Sequence, residues 1–222
     1  MNSRALEPFD LVVFDWDGTL MDSAAAIVAA LQAACTDLKL PVPNDEQARY
    51  IIGLGLHDAL SHLLPAVDPL RYPSIADRYR HHFLQLDGGT TLFQGAADTV
   101  VELHRAGLRL AIATGKSRRG LARALAATGL APYFHATRCA DEGHSKPHPG
   151  MLHALMEELA VANGRTLMIG DTTHDMEMAH AAGVAGLAVA YGAHARAALL
   201  EYGPLACLPS VEALRDWLAR HG

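Results

Sequence analysis

Leu11, Val12, Val13 and Phe14 form an unbroken apolar run that stops at Asp15-Trp16-Asp17-Gly18, and this junction constrains the chain more than any other stretch. A short apolar run containing β-branched residues predicts a strand of a parallel sheet covered on both faces. Ligands of such sheets gather at the carboxyl ends of the strands. Carboxylates set against so much apolar surface are costly unless a cation or a donor meets them, so Asp15 and Asp17 predict a binding partner. Gly18 supplies the turn that such a site needs. Spacing excludes a calcium loop: counted from Asp15, the sharp-turn glycine falls two places early and the twelfth position is Ala26, which has no carboxylate. The other alternative, a solvated turn after a strand, is decided by the rest of the chain.

At 222 residues the chain can bury a sizeable core, as one large domain or as one domain carrying an insertion. Its 18 basic and 24 acidic residues give a net charge of −6, with no run of lysine or arginine. That pattern argues against nucleic acid and anionic membrane as partners and favours a small molecule. Cys35, Cys139 and Cys207 are odd in number and far apart, which argues against a disulfide framework and a zinc site and predicts reduced thiols in the cytoplasm. The opening MNSRALEPFD has no hydrophobic signal core, and no apolar run approaches the ~18 residues needed to span a bilayer. A soluble protein without a visible export signal is expected.

Beyond the first strand, Ala24 to Leu38 reads as an alanine-rich helix ended by Pro41 and Pro43, and helical signals then continue without strands. Asn44-Asp45 can cap a helix through Ile52, a second is predicted over His57 to Leu64 and a third over Ile75 to Leu86, before Gly88-Gly89 breaks the pattern. Gly53-Leu54-Gly55 lacks the third glycine of a dinucleotide fingerprint and any strand before it, so it reads as a turn between helices. From Gly95 onward helix and strand alternate, with strands predicted at 108–113, 134–138, 166–169, 185–190 and 205–208. The expected fold is α/β: a doubly wound parallel sheet, a Rossmann-like core over 1–22 and 93–222, with an inserted α-helical cap domain over 23–92.

Three strands thus end in polar turns, at Asp15-Trp16-Asp17-Gly18, Thr114-Gly115-Lys116-Ser117 and Gly170-Asp171-Thr172-Thr173-His174-Asp175. As parallel neighbours they converge at one edge and crowd Asp15, Asp17, Asp171 and Asp175 together. Such a crowd calls for a cation, and an all-oxygen site with few protein ligands suits Mg²⁺. Thr114, with the amides opening the next helix, offers a hydroxyl and a positive dipole end to an anion such as phosphate. Lys146, held out of helical geometry by Pro147, supplies the compensating positive charge.

These motifs together resemble the haloacid dehalogenase-like superfamily, in its phosphoglycolate-phosphatase-like branch with a helical cap. The residues that carry the resemblance are FDWDGTLMDS, the strand ending at Thr114-Gly115, Lys146 in SKPHPGML, and GDTTHDMEMAHAAG from Gly170. The resemblance implies that Asp15 is the nucleophile taking the phosphoryl group, and that Asp17 protonates the leaving oxygen and later activates water. It implies Mg²⁺ held by Asp15, the main-chain carbonyl of Asp17 and Asp171, with Asp175 supporting, and phosphoryl oxygens held by Thr114 and Lys146, with Gly18 and Gly115 beside them. The implied activity is Mg²⁺-dependent hydrolysis of a small phosphate monoester, phosphoglycolate-like or a sugar phosphate, through an aspartyl-phosphate. The expected partner is a small phosphorylated metabolite and the expected assembly a monomer or weak homodimer.

Alternatives are a phosphomutase of the same branch and a non-catalytic phosphate-binding or regulatory protein on the same fold. Asp17 argues against a dehalogenase or phosphonatase. Ile27 and Leu56 stand where mutases of the branch carry a histidine and an arginine, which favours hydrolysis. A P-loop ending at Gly115-Lys116-Ser117 fails because Leu110 occupies the place of its first glycine. His81, His82, His144 and His148 lack metal spacing, Ser117 lacks a nucleophile elbow, and Trp16 should turn away into the core. Arg49, His57, His62 and Arg71 are the polar candidates in the insertion for meeting the organic part of the substrate.

Overall fold

The computed structural model describes residues 9–221, so the N-terminal stretch 1–8 read for a signal lies outside the described residues. Strand β1 (Leu11–Phe14) is wholly buried, and its side chains alternate between the two faces of the sheet. Val12 and Phe14 enter one apolar cluster with Leu110, Ile112, Leu167 and Ile169, while Leu11 and Val13 enter another with Ala111, Ala113 and Met168. A continuous apolar run is what a strand buried on both faces requires.

The chain continues through a two-residue strand β2 (Met21–Asp22) into helices α1 (Ala24–Asp37), α2 (Asp45–Tyr50), α3 (Leu56–Leu63) and α4 (Tyr72–Leu86), and returns through β3 (Thr91–Leu92). It then alternates α5 (Ala96–Arg105), β4 (Arg109–Thr114), α6 (Arg118–Thr128), β5 (Ala136–Cys139), α7 (Gly150–Glu158), β6 (Thr166–Gly170), α8 (Thr173–Ala181), β7 (Ala185–Val189), α9 (Arg196–Leu200), β8 (Cys207–Leu208) and α10 (Val211–His221). Six strands form one sheet in the order β5-β4-β1-β6-β7-β8, every pair parallel. The doubly wound parallel sheet predicted from the alternation is therefore present. Phe14 pairs with Ile112 and Ile169, so Asp15, Thr114 and Asp171 leave three adjacent strands at one edge.

Helices α1 to α4 close on their own apolar cluster, which includes Ile27, Leu31, Ile52, Leu60, Ile75 and Phe83. The antiparallel pair β2/β3, unforeseen from the sequence because each strand is only two residues long, joins this helical block to the sheet. Helix α4 begins at Tyr72 rather than Ile75, since Pro73 lies in its first turn, where a proline costs no helical hydrogen bond. Helix α2 ends at Tyr50, two residues before the predicted end, and starts with a full capping box between Asn44 and Gln47. Gly53-Leu54-Gly55 joins α2 to α3 as the glycine spacing predicted. Cys35, Cys139 and Cys207 are buried and unpaired. Among the described residues no helix is long and apolar enough to cross a membrane.

The 53–55 turn seats the helical block on the sheet edge. A β-carbon on Gly115 would lie 2.5 Å from the carbonyl oxygens of Gly53 and Leu54, and the Ser145 hydroxyl accepts from Gly55 N–H at 2.6 Å. Gly115→Ala should therefore displace main-chain atoms of the turn, cost about 1–3 kcal/mol and lower the melting temperature by several degrees. An unchanged melt would mean that the turn is not held against Gly115.

Candidate active site

Asp15 follows β1 and is completely buried. Lys146, equally buried in the loop before α7 and joined to Pro147 by a cis peptide bond, places its ammonium 2.7 Å from Asp15 Oδ1 and 2.6 Å from Asp175 Oδ1. The Asp15 contact is an ion pair without hydrogen-bond alignment, so among the described residues neither oxygen of Asp15 receives a hydrogen bond. Asp175 sits in the first turn of α8, where its Oδ2 accepts from Thr172 N–H at 3.1 Å and from the Thr172 hydroxyl at 2.7 Å. A capping box thus aims Asp175 inward. Asp171 follows β6 and accepts from the Thr19 hydroxyl at 2.8 Å and from Ala193 N–H at 2.7 Å. Gly18 adopts φ +83°, and a β-carbon there would overlap the Asp171 carboxylate. Its role is to let the 17–20 turn approach Asp171, beyond any part in phosphate binding.

Oxygen atoms of Asp15, Asp171 and Asp175 lie within 4.8 Å of one another. Burial drives Asp15 well above the usual carboxylate range, Lys146 opposes this, and Asp175 and Asp171 add to it. Asp171 is pushed up to about 7, first by burial and then by Asp175, against the pull of Ala193 N–H and Thr19. Burial works against the charge on Lys146, but Asp15 and Asp175 more than offset it and raise its pKa. Three buried carboxylates face one buried ammonium, and among the described residues the two oxygens of Asp15 lack hydrogen-bond donors. A hard divalent cation that prefers oxygen ligands fits this donor set.

The Asp17 carboxylate stands outside that cluster. Its Oδ1 accepts from the Ser23 hydroxyl at 2.6 Å and lies 2.9 Å from Lys116 Nζ. Thr114, fully buried at the end of β4, accepts from Lys116 N–H at 3.2 Å and keeps its own hydroxyl proton to donate. The sequence reading brought Asp15, Asp17, Thr114, Lys146, Asp171 and Asp175 together but missed Thr19, Ser23, Lys116 and Thr172 as their partners. Lys116 was weighed only as part of a P-loop, although its place two residues beyond a strand ending at Thr114 was a usable signal. Ser117 caps α6 by accepting from Gly120 N–H.

A cavity of about 450 Å³ opens from Asp15 and Asp17 toward the helical block. Of the four polar candidates in that block only His57 lines it, whereas Tyr79, Arg80 and Phe83 of α4 were not anticipated. Arg49, His62 and Arg71 do not line it; the His62 ring packs on Tyr50 at 4.9 Å. Ile27 and Leu56 both face the cavity. Behind it, the Tyr50 carbonyl accepts from Nε2 of His174 at 2.7 Å and of His194 at 3.0 Å, and His194 Nδ1 accepts from Thr173 N–H. Burial pushes the His174 pKa down to about 4 and lowers that of His194 as well, so both rings clasp Tyr50 as neutral donors. Trp16 is buried in the core as expected, its indole N–H unpartnered among the described residues.

Residues 12–189 match the family model described as haloacid dehalogenase-like hydrolase. The chain is 36% identical over 189 residues to the probable phosphatase IndB of Dickeya dadantii, covering 83% of this chain and 82% of that protein. It is 32% identical over 206 residues to the phosphoglycolate phosphatase of Escherichia coli K12, covering 82% and 81%. In fold it is similar to a hydrolase from Pseudomonas syringae, with TM-score 0.88 and 22% identity over 95% of this chain and 98% of that one. A haloacid dehalogenase-like family protein from Streptococcus pneumoniae superposes with TM-score 0.78 at 24% identity, over 94% and 98%. With the family model spanning most of the chain and the sheet edge built as described, this protein belongs to the haloacid dehalogenase-like hydrolases and is one of their phosphatases.

Proposed function

We propose that the protein hydrolyses a small phosphorylated metabolite through an aspartyl-phosphate on Asp15, in a Mg²⁺-dependent reaction. The observation that carries this reading is Asp15 itself: a buried carboxylate with no hydrogen bond on either oxygen among the described residues, lining the cavity with Asp17 and 2.7 Å from Lys146 Nζ. An oxygen of Asp15 forms the new bond to phosphorus as the ester oxygen leaves with a proton from Asp17. Water then attacks the phosphorus, Asp17 takes its proton, the bond to Asp15 breaks and inorganic phosphate departs. Lys146 and Thr114 hold the phosphoryl oxygens, with Gly18 and Gly115 leaving main chain close by. Asp15, Asp171 and the main-chain carbonyl of Asp17 would hold Mg²⁺, with Asp175 in support, and the ion would supply charge neutralisation. Three buried unpaired thiols support the cytoplasmic setting. Apolar Ile27 and Leu56 on the cavity wall favour hydrolysis over a mutase reaction.

Asp15→Asn tests the mechanism: turnover of an aryl phosphate should vanish while the melt stays cooperative. Activity that survived would refute the aspartyl-phosphate.

The cation can be tested without turnover. A carboxyl group whose folded pKa is raised, as for Asp171 from 3.8 to about 7, favours the fold fully below the unfolded value, and that contribution is lost as pH rises through about 7. At pH 8 the metal-free protein is therefore strained at this edge, and Mg²⁺ at a hundred times its dissociation constant should add about 2.7 kcal/mol of stability. Asp171→Asn removes the charge while its amide keeps an oxygen for Ala193 N–H. It should hold or raise the metal-free melting temperature and shrink the Mg²⁺-induced rise; an undiminished rise would place the ion elsewhere.

The helical block, residues 23–92 in this reading, is a cap domain that moves about β2 and β3 and meets the organic part of the substrate. Single alanine substitutions at His57, Tyr79 and Arg80 should reorder a panel of phosphate esters by kcat/KM. A ranking that all three leave intact would remove the cap from substrate choice.

A further inference from the structure

We infer that Lys116 is a positioning residue for Asp17, holding that carboxylate by one oxygen so that the other is aimed at the reacting atoms. The inference rests on the reading of Asp17 as acid and base. Lys116 Nζ and the Ser23 hydroxyl both approach Oδ1 of Asp17, at 2.9 and 2.6 Å, and among the described residues Oδ2 carries no hydrogen bond. Asp17 lines the cavity, so its unoccupied oxygen is the one available to substrate and water.

Both tethers are themselves committed. Ser23 stands at the N-cap of α1, where a serine ordinarily accepts from the helix, yet it makes no capping bond and spends its hydroxyl on Asp17. Lys116 is nearly buried, and its ammonium lies 4.8 Å from the centre of the Phe83 ring, a cation–π contact that fixes Nζ from the side of α4. The main chain of Lys116 is pinned in turn by its N–H donating to Thr114. Asp17 is thereby held from β4, from the start of α1 and from α4 together, so its orientation depends on the helical block being seated.

An oriented Asp17 matters in two places. In the first half of the reaction its proton passes to the ester oxygen as the O–P bond breaks and the Asp15–phosphorus bond forms. In the second half, a proton from water passes to Asp17 Oδ2 as the water oxygen bonds to phosphorus and the Asp15 carboxylate is released. A leaving group such as 2,4-dinitrophenolate needs no proton, so with that ester only the second half depends on Asp17.

The test compares Lys116→Met, which keeps an unbranched side chain and removes the ammonium, with wild type in Mg²⁺ by rapid mixing. With 2,4-dinitrophenyl phosphate the variant should release one equivalent of dinitrophenolate per site in a burst, followed by a steady rate lower by about tenfold or more, with KM falling alongside so that kcat/KM is kept. With an alkyl phosphate kcat should fall further and no product burst should appear. Ser23→Ala should behave alike, and Phe83→Leu should show the same pattern at about two- to fivefold. A rise in KM alone, or equal losses on both esters without a burst, would overturn the inference, because Lys116 would then bind substrate or serve only the fold. Asp15→Asn run in parallel separates the failures: turnover there refutes the mechanism itself, whereas a dead Asp15→Asn beside a burst-free Lys116→Met refutes only the positioning role.

Discussion

The buried contact of Lys146 with Asp15 and Asp175 is the interaction on which the arrangement of the sheet edge depends. An ammonium removed from water is costly unless the charges around it repay the loss, and here two carboxylates at 2.7 and 2.6 Å do so. The three residues come from different parts of the chain: the end of β1, the loop before α7 and the first turn of α8. Their mutual neutralisation therefore ties the middle of the sheet to two crossover connections. It does so incompletely, since Asp171 joins the same cluster and among the described residues neither oxygen of Asp15 receives a hydrogen bond. The three carboxylates thus leave an oxygen donor set that could hold a metal ion.

Around this centre the local structure is built from short polar devices. Thr172 and Asp175 cap α8 and in doing so turn a carboxylate into the site. Thr19 and the main chain of Ala193 hold the two oxygens of Asp171, and Tyr191 closes back on the carbonyl of Thr19 at 3.0 Å. Each device satisfies a polar group that burial would otherwise leave unpaired, which is why the edge can be buried and still carry ionisable groups. The helical block is fastened to the same edge through the two histidines on Tyr50 O, Ser145 on Gly55 N–H, and the close approach of the 53–54 turn to Gly115. These fastenings are largely polar, and the apolar cluster of the helical block is distinct from those of the sheet, with Ala193 packed against it from the loop after β7. A seat of that kind holds a defined position without fusing the two bodies into one core.

Membership of a phosphatase family and a cavity that reaches well beyond the carboxylates bear on different questions. The strand ends carry Asp15, Thr114 and Asp171, while Ile27, Leu56, Tyr79 and Phe83 of the helical block form part of the cavity wall. To these apolar residues α3 adds His57 and Asp58 and α4 adds Arg80 as polar lining. On the proposed reading, chemistry and choice of substrate are written on different elements.

Much was legible in the sequence because it depends on order along the chain. An apolar run ending in carboxylates, repeated alternation of strand and helix, and glycines after strands specify a parallel sheet with its polar turns at one edge, whatever the detailed packing. Asp15, Thr114 and Asp171 were placed at the ends of neighbouring strands in this way. What the sequence could not reveal were contacts between residues whose spacing carries no period. Lys116 meets Asp17 from almost a hundred positions away, Thr19 meets Asp171 from further still, and His174 and His194 meet on a carbonyl that no side-chain pattern marks. The cavity wall belongs to the same class: short helices joined by turns leave their rotation open, so His57 faced the cavity while Arg49, His62 and Arg71 did not. Sequence order determined which residues end the strands; only packing in three dimensions decided which of their neighbours hold them in place.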